Sequence, residues 1–163
     1  MPKAISNTSP LLYLHRIGAL EWLPQLFDEF WVPAAVVAEL QEGRRCGFDV
    51  PDPTFLPWVQ VVEPRSIPAD WLALDLGHGE LAAMAMAIEN PDRIILLDDA
   101  LARRTAQTAG LQVWGTLKIM LEAKAYGITP SIKPWVERLA DAGLWFSDDL
   151  RSRVLALAGE SKN

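Results

Sequence analysis

The stretch LGHGELAAMAMAIENPDRIILLDDALARR, residues 76–104, decides the fold. It opens on Gly-x-Gly-Glu and runs into an Ala- and Met-rich block, which predicts a helix over 79–89. Asn90-Pro91-Asp92 breaks it. Ile94-Ile95-Leu96-Leu97 is then a continuous apolar run, as expected of a strand buried on both faces. Asp98-Asp99 closes that strand. A second helix follows over 100–109, stopped by Gly110 where a left-handed residue is wanted. Helix, strand and helix in this order are the repeating unit of a parallel sheet.

The rest of the chain continues the alternation. Strands are predicted at 3–7, 29–32, 59–63, 93–98 and 112–115. Further helices are predicted at 9–16, 19–27, 33–42, 116–126, 130–142 and 148–158. The fold class is therefore α/β, with about five parallel strands flanked by helices. A single domain is expected over 1–158, with 159–163 as a frayed tail. The segment 43–57, with three Pro, two Gly and two adjacent Arg, is expected to be a mobile loop.

Bulk properties narrow the function. Half of the 163 residues are hydrophobic and 22% are charged, the balance of a soluble globular protein. The longest purely apolar run, 81–88, is too short to span a bilayer, so no membrane partner is expected. No signal peptide is evident. The single Cys46 excludes an internal disulfide and a thiolate metal cluster. These features predict a cytoplasmic location. The net charge of −6 argues against broad electrostatic binding of nucleic acid, although it permits a local basic strip.

Polar residues converge at one edge. In an open α/β sheet, sites form beyond the carboxyl ends of the strands. Asn7 ends the first strand, Asp98 and Asp99 follow the fourth, and Thr116 follows the fifth. The helix over 79–89 runs antiparallel to the strand it precedes. About 11 helical residues at ~1.5 Å each span roughly 17 Å, and about five strand residues at ~3.3 Å span the same. Glu80 is thereby placed near Asp98. Glu39 reaches this edge only if its helix leans across the sheet. Carboxylates that close repel one another, and a hard divalent cation, Mg²⁺ or Mn²⁺, would resolve the repulsion. Such an ion serves phosphodiester hydrolysis. His15 and His78 lack paired spacing for zinc.

Three stretches together carry a resemblance: ISNTSPLLYL, VPAAVVAEL, and the block from LGHGEL through LLDDALARR to KAYG. They resemble the PIN-domain superfamily, and most closely its small prokaryotic branch related to VapC toxins, over roughly residues 5–126. The resemblance implies a PIN-like three-layer sandwich and a Mg²⁺- or Mn²⁺-dependent ribonuclease of the toxin–antitoxin type. It implies an RNA substrate, a small antitoxin as possible partner, and a homodimer. It also implies catalytic positions at Asn7, Glu39, Glu80 and Asp98, with Asn7, Glu80, Asp98 and Asp99 as metal ligands. Thr8, Ser9 and Thr116 would support them, and Arg103 and Arg104 would bind RNA. The chain departs from the family at Asn7, where an active PIN nuclease has Asp. An amide oxygen can ligate a metal but brings no charge.

Alternatives stand beside this reading. Asn7 is equally a helix cap, and Asp99 fits a cap better than Asp98 does. A catalytically impaired PIN-like module for RNA binding or protein interaction would also suit Asn7. A phosphotransfer domain using Asp98 and Asp99 is a further alternative, although such domains carry their paired acid after the first strand. Trp22, Trp31, Trp58, Trp71, Trp114, Trp135 and Trp145 are either core anchors or base-stacking platforms.

Overall fold

The computed structural model describes residues 1–160. Its elements are β1 (Lys3–Ser6), α1 (Thr8–Ile17), α2 (Trp22–Leu26), β2 (Glu29–Val32), α3 (Ala34–Arg45), β3 (Val59–Val61) and α4 (His78–Glu89). They continue with β4 (Ile94–Leu96), α5 (Ala100–Thr108), β5 (Val113–Trp114), α6 (Thr116–Ala125), α7 (Lys133–Asp141) and α8 (Asp148–Leu157). The five strands form one all-parallel sheet in the order β3-β2-β1-β4-β5. Ala4 aligns with both Phe30 and Ile94, and Ser6 aligns with Leu96, so β1 lies at the centre.

Side-chain alternation along the strands divides the interior in two. Ala4, Ile94 and Leu96 face a large core built with α1, α2, α3, α6, α7 and α8. Ile5, Ile95 and Leu97 face a smaller core built with α4 and α5. This is a three-layer sandwich. A strand in the middle layer has no wet face, which is why β4 reads as an unbroken apolar run. The same burial explains α4, where every residue from Leu81 to Ala87 is buried and no polar stripe survives.

All eight predicted helices and all five predicted strands are present among the described residues. β2 has the predicted bounds, and the other four strands are shorter than predicted, because strand pairing stops at Ser6, Val61, Leu96 and Trp114. The chain turns at that edge into helix starts, so the next residues have little ladder to join. Asn7 donates its backbone N–H to Leu96 O (3.1 Å), and Leu97 donates to Trp114 O (3.0 Å). Those are the final rungs, and the polar residues begin directly beyond them.

Two expectations about loops change. The segment 43–57 is anchored rather than loose. α3 continues to Arg45, Val50 is buried in the large core, and Asp49 bonds His15 Nε2 (2.9 Å) and the Arg16 side chain (3.3 Å). Of the tail expected to fray, Glu160 is held: its carboxylate accepts from the N–H groups of Ile132 and Lys133 and from Lys124 Nζ. Residues 161–163 lie outside the described residues.

Candidate active site

The carboxyl edge of the sheet carries the predicted site residues, and the local folding reasons differ for each. Asn7 occupies the N-cap position of α1, yet its side chain makes no cap bond. It is 5% exposed, and its Oδ1 is buried without any hydrogen-bond partner. A buried amide oxygen left unpaired costs about 1–3 kcal/mol. The capping explanation for Asn7 therefore fails, and the oxygen is available to a ligand. By alternation after Ile5, Asn7 follows the face on which α4 packs.

Glu80 sits in the first turn of α4, where the helix dipole favours an acid. Its Oε1 accepts from Gly77 N–H (3.5 Å), while its Oε2 is a second buried oxygen without a partner. Its pKa is raised above the ordinary 4.5 by burial first, then by the charges of Asp99, Glu39 and Asp75. Glu39 on α3 does reach this helix. Its Oε1 accepts from Gly79 N–H (3.0 Å) and its Oε2 from Thr8 Oγ1 (2.5 Å). The absence of a side chain at Gly79 permits this approach, since a Cβ there would lie 2.9 Å from both Glu39 oxygens. The Gly-x-Gly-Glu motif contained that signal, but sequence alone gave Gly79 no partner.

Asp98 is held from the other side. Thr116 donates its N–H to Oδ1 and its hydroxyl to Oδ2, both at 2.8 Å. Burial raises the Asp98 pKa above the ordinary 3.8, while the Thr116 bonds and the Arg103 guanidinium draw it back. Asp99 is the N-cap of α5, accepting from Ala102 N–H through Oδ2 (2.9 Å). It is exposed and faces the same cleft as Glu80. That cleft, of about 770 Å³, is also lined by Ser9, Asp98, Arg103 and Arg104. Arg103 is half-buried and Arg104 exposed.

The expected single cluster of carboxylates is thus resolved into two groups at one edge, with Glu80, Asp98 and Asp99 lining the cleft and Glu39 held beside it by Gly79 and Thr8. The charges of Asp99 and Glu39 act on Glu80, while Asp98 is paired with Thr116 and influenced by Arg103. Among the described residues, no three His, Cys, Asp or Glu side chains are close enough to hold a metal ion by themselves. Two buried oxygens at this edge have no hydrogen-bond partner, the amide oxygen Asn7 Oδ1 and the carboxylate oxygen Glu80 Oε2. That set fits a hard ion such as Mg²⁺, which takes one or two carboxylates and keeps several waters. It does not fit a closed protein cage.

A parallel 3-2-1-4-5 sheet between two helical layers, with Asn7 beyond β1 and two acids beyond β4, has the architecture of a PIN domain. The sequence profile of the DUF3368 family, described as a PIN domain, matches residues 3–160, and the chain belongs to that family. PIN domains are in general metal-dependent nucleases that act on nucleic acid. No curated protein matches the chain. Among the described residues, no helix is long and apolar enough to cross a membrane.

The raised Glu80 pKa has a stability consequence. Above its folded-state pKa the native protein holds an ionised group that the unfolded chain would solvate better. Stability therefore falls as pH rises from the ordinary carboxylate value through the raised one. In chelator at pH 7, Glu80→Gln should melt above wild type, and the gap should close as pH drops below about 4.3. Melting curves across this range test it; an equal or lower Tm for the variant at pH 7 refutes it.

Proposed function

We propose that this PIN domain is a cytoplasmic, Mg²⁺- or Mn²⁺-dependent endoribonuclease of the toxin–antitoxin type. The observation that carries the catalytic part is two buried, unpartnered oxygens at the carboxyl edge of the sheet: Asn7 Oδ1, directly beyond β1, and Glu80 Oε2, on a residue that lines a cleft with Asp98 and Arg103. Asn7 and Glu80 would hold the ion, with Asp98 facing it directly or through water. When bound, the ion supplies charge stabilisation at the phosphoryl oxygens and acidifies coordinated water. Glu39, fixed by Gly79 and Thr8, orients the attacking water. Thr116 keeps Asp98 in one rotamer, and Ser9 lines the same cleft. Arg103 and Arg104 receive the phosphate through charge-assisted bonds. Asp99 contributes negative potential from its cap position. The resemblance to VapC toxins supports a small antitoxin as partner and a homodimer as the working form.

The direct test is incubation of labelled RNA with the purified protein in Mn²⁺, in Mg²⁺ and in EDTA. Endonucleolytic products with either metal and none in EDTA are the expected result. No cleavage, together with no rise in Tm on adding metal, would favour a second reading: a catalytically impaired RNA-binding or protein-interaction module. Asn7, in place of the family's Asp, is the observation on that side.

Gly79→Ala separates positioning from folding. The added Cβ would displace the flexible Glu39 carboxylate, whereas Ala in a helix favours folding by about 0.5–1 kcal/mol. The expected outcome is a Tm at or near that of wild type with cleavage reduced ~10–100-fold, the scale of a misplaced group. Unchanged cleavage would remove Glu39 from the site.

A further inference from the structure

The seven Trp residues have different surroundings. Trp22, Trp58, Trp114 and Trp135 belong to the large core or pack against it, and Trp71 packs against the smaller one. Trp31 also packs there, bonds Gln60 through its Nε1 (2.8 Å), and carries the Arg93 guanidinium 3.2 Å above its ring. Trp145 is 85% exposed. Its neighbours Leu144 and Phe146 pack against the large core, so the connection between α7 and α8 is fastened on both sides of it. Gly143, at φ 106°, turns the chain out of α7, and Ser147 Oγ caps α8 by accepting from Leu150 N–H (3.1 Å). The indole is thus presented to solvent on a braced backbone, which lowers the ordering cost of anything that binds it. It lines the cleft of Glu80, Asp98, Arg103 and Arg104.

An exposed aromatic on one cleft with two arginines and the acids Glu80 and Asp98 suits a nucleotide whose phosphate meets the guanidinium groups while its base lies on the ring. We propose that Trp145 is the stacking platform for an unpaired base adjacent to the scissile phosphate. Such a platform takes only unpaired bases, because bases inside a duplex are already stacked and unavailable. This inference rests on the nuclease reading above and adds the determinant of strand selection. Stacking tolerates any base, so Trp145 favours unpaired over paired RNA without dictating sequence.

The test is equilibrium binding in EDTA of a single-stranded RNA oligonucleotide and of the same sequence as a duplex. It uses wild type, Trp145→Ala and Trp145→Phe, with size-exclusion chromatography of each. For Trp145→Ala, single-strand affinity should fall ~5–100-fold while duplex affinity stays unchanged. Trp145→Phe should stay within a few-fold of wild type. An abasic nucleotide at one position should weaken wild type but not Trp145→Ala. Equal single-strand affinity in wild type and Trp145→Ala would overturn the proposal, and with RNA cleavage intact the nuclease reading would survive. A Trp145→Ala protein that loses self-association but keeps its RNA affinity would also overturn it, assigning the indole to a protein contact. Trp145-dependent single-strand binding without cleavage in Mn²⁺ would uphold the platform and remove the nuclease. Wild type that binds no RNA at all would remove both.

Discussion

Glu80→Gln and Asp98→Asn should each lower metal-dependent RNA cleavage by on the order of 10²–10³-fold or more, the usual cost of removing one preorganised charge-stabilising group. The effect should fall on kcat, since neither carboxylate is placed to attract the polyanionic substrate in its ground state. Both variants keep the fold for identifiable reasons. A Gln at position 80 still accepts from Gly77 N–H. An Asn at position 98 still accepts from Thr116 N–H and can donate to its hydroxyl. Single-turnover assays with saturating Mn²⁺ measure the loss, and activity surviving both changes would displace the site. Asn7→Asp supplies the opposite arm. It adds the missing charge at an already unpartnered position, so metal affinity and rate should rise, while Tm in chelator should fall from added repulsion with Glu80.

Phe30→Ala should be the most damaging core substitution. Phe30 lies in β2, is 1% exposed, and meets Phe27 and Trp58 edge-to-face at 6.1 and 5.2 Å. Truncating a buried Phe costs about 3–5 kcal/mol through lost burial and the cavity left behind, and the aromatic pairs place this site toward the upper end. For a domain of this size that corresponds to a fall in Tm of ~6–20 °C. Denaturant unfolding followed by Trp fluorescence and circular dichroism tests it. A loss under about 1 kcal/mol, the level of a surface change, would mean that the large core collapses around the gap.

The order of elements was legible because each strand and helix carried its own period and its own stop. Ile94–Leu97 shows it most simply: an apolar tetrad between Pro91 and two acids has few other readings. The antiparallel run of α4 against β4 also followed from the crossover into a parallel strand, and the matching lengths brought Glu80 to the edge where Asp98 lies. Finer matters depended on side-chain packing, which a linear pattern does not encode. Glu39 on the site edge depended on the packing of α3 against α4, and the seat of its carboxylate depends on Gly79 having no Cβ. Asn7 looked like a cap by residue type, but its oxygen is turned away from the α1 amides. The division of the acids into two groups was invisible too, because it arises from Thr116 capturing Asp98 with two donors. In the segment 43–57, Pro and Gly content suggested slack, and only Val50 and Asp49 in three dimensions show it tied down.

The bond between Glu39 and Gly79 also closes a ring in the chain. Everything from the end of α3 to the start of α4 is an excursion that departs and returns at the same place. It contributes only β3, an edge strand, to the sheet. Lengthening a closed loop costs little, about 0.6 kcal/mol for each doubling. The exposed stretches of the excursion can therefore be extended while Glu39 and Glu80 stay in register, whereas Val50, Trp58 and Trp71 hold the rest of it against the cores. In engineering terms those stretches are an insertion port: cargo placed there would ride on the domain without passing through the edge that carries Glu39 and Glu80.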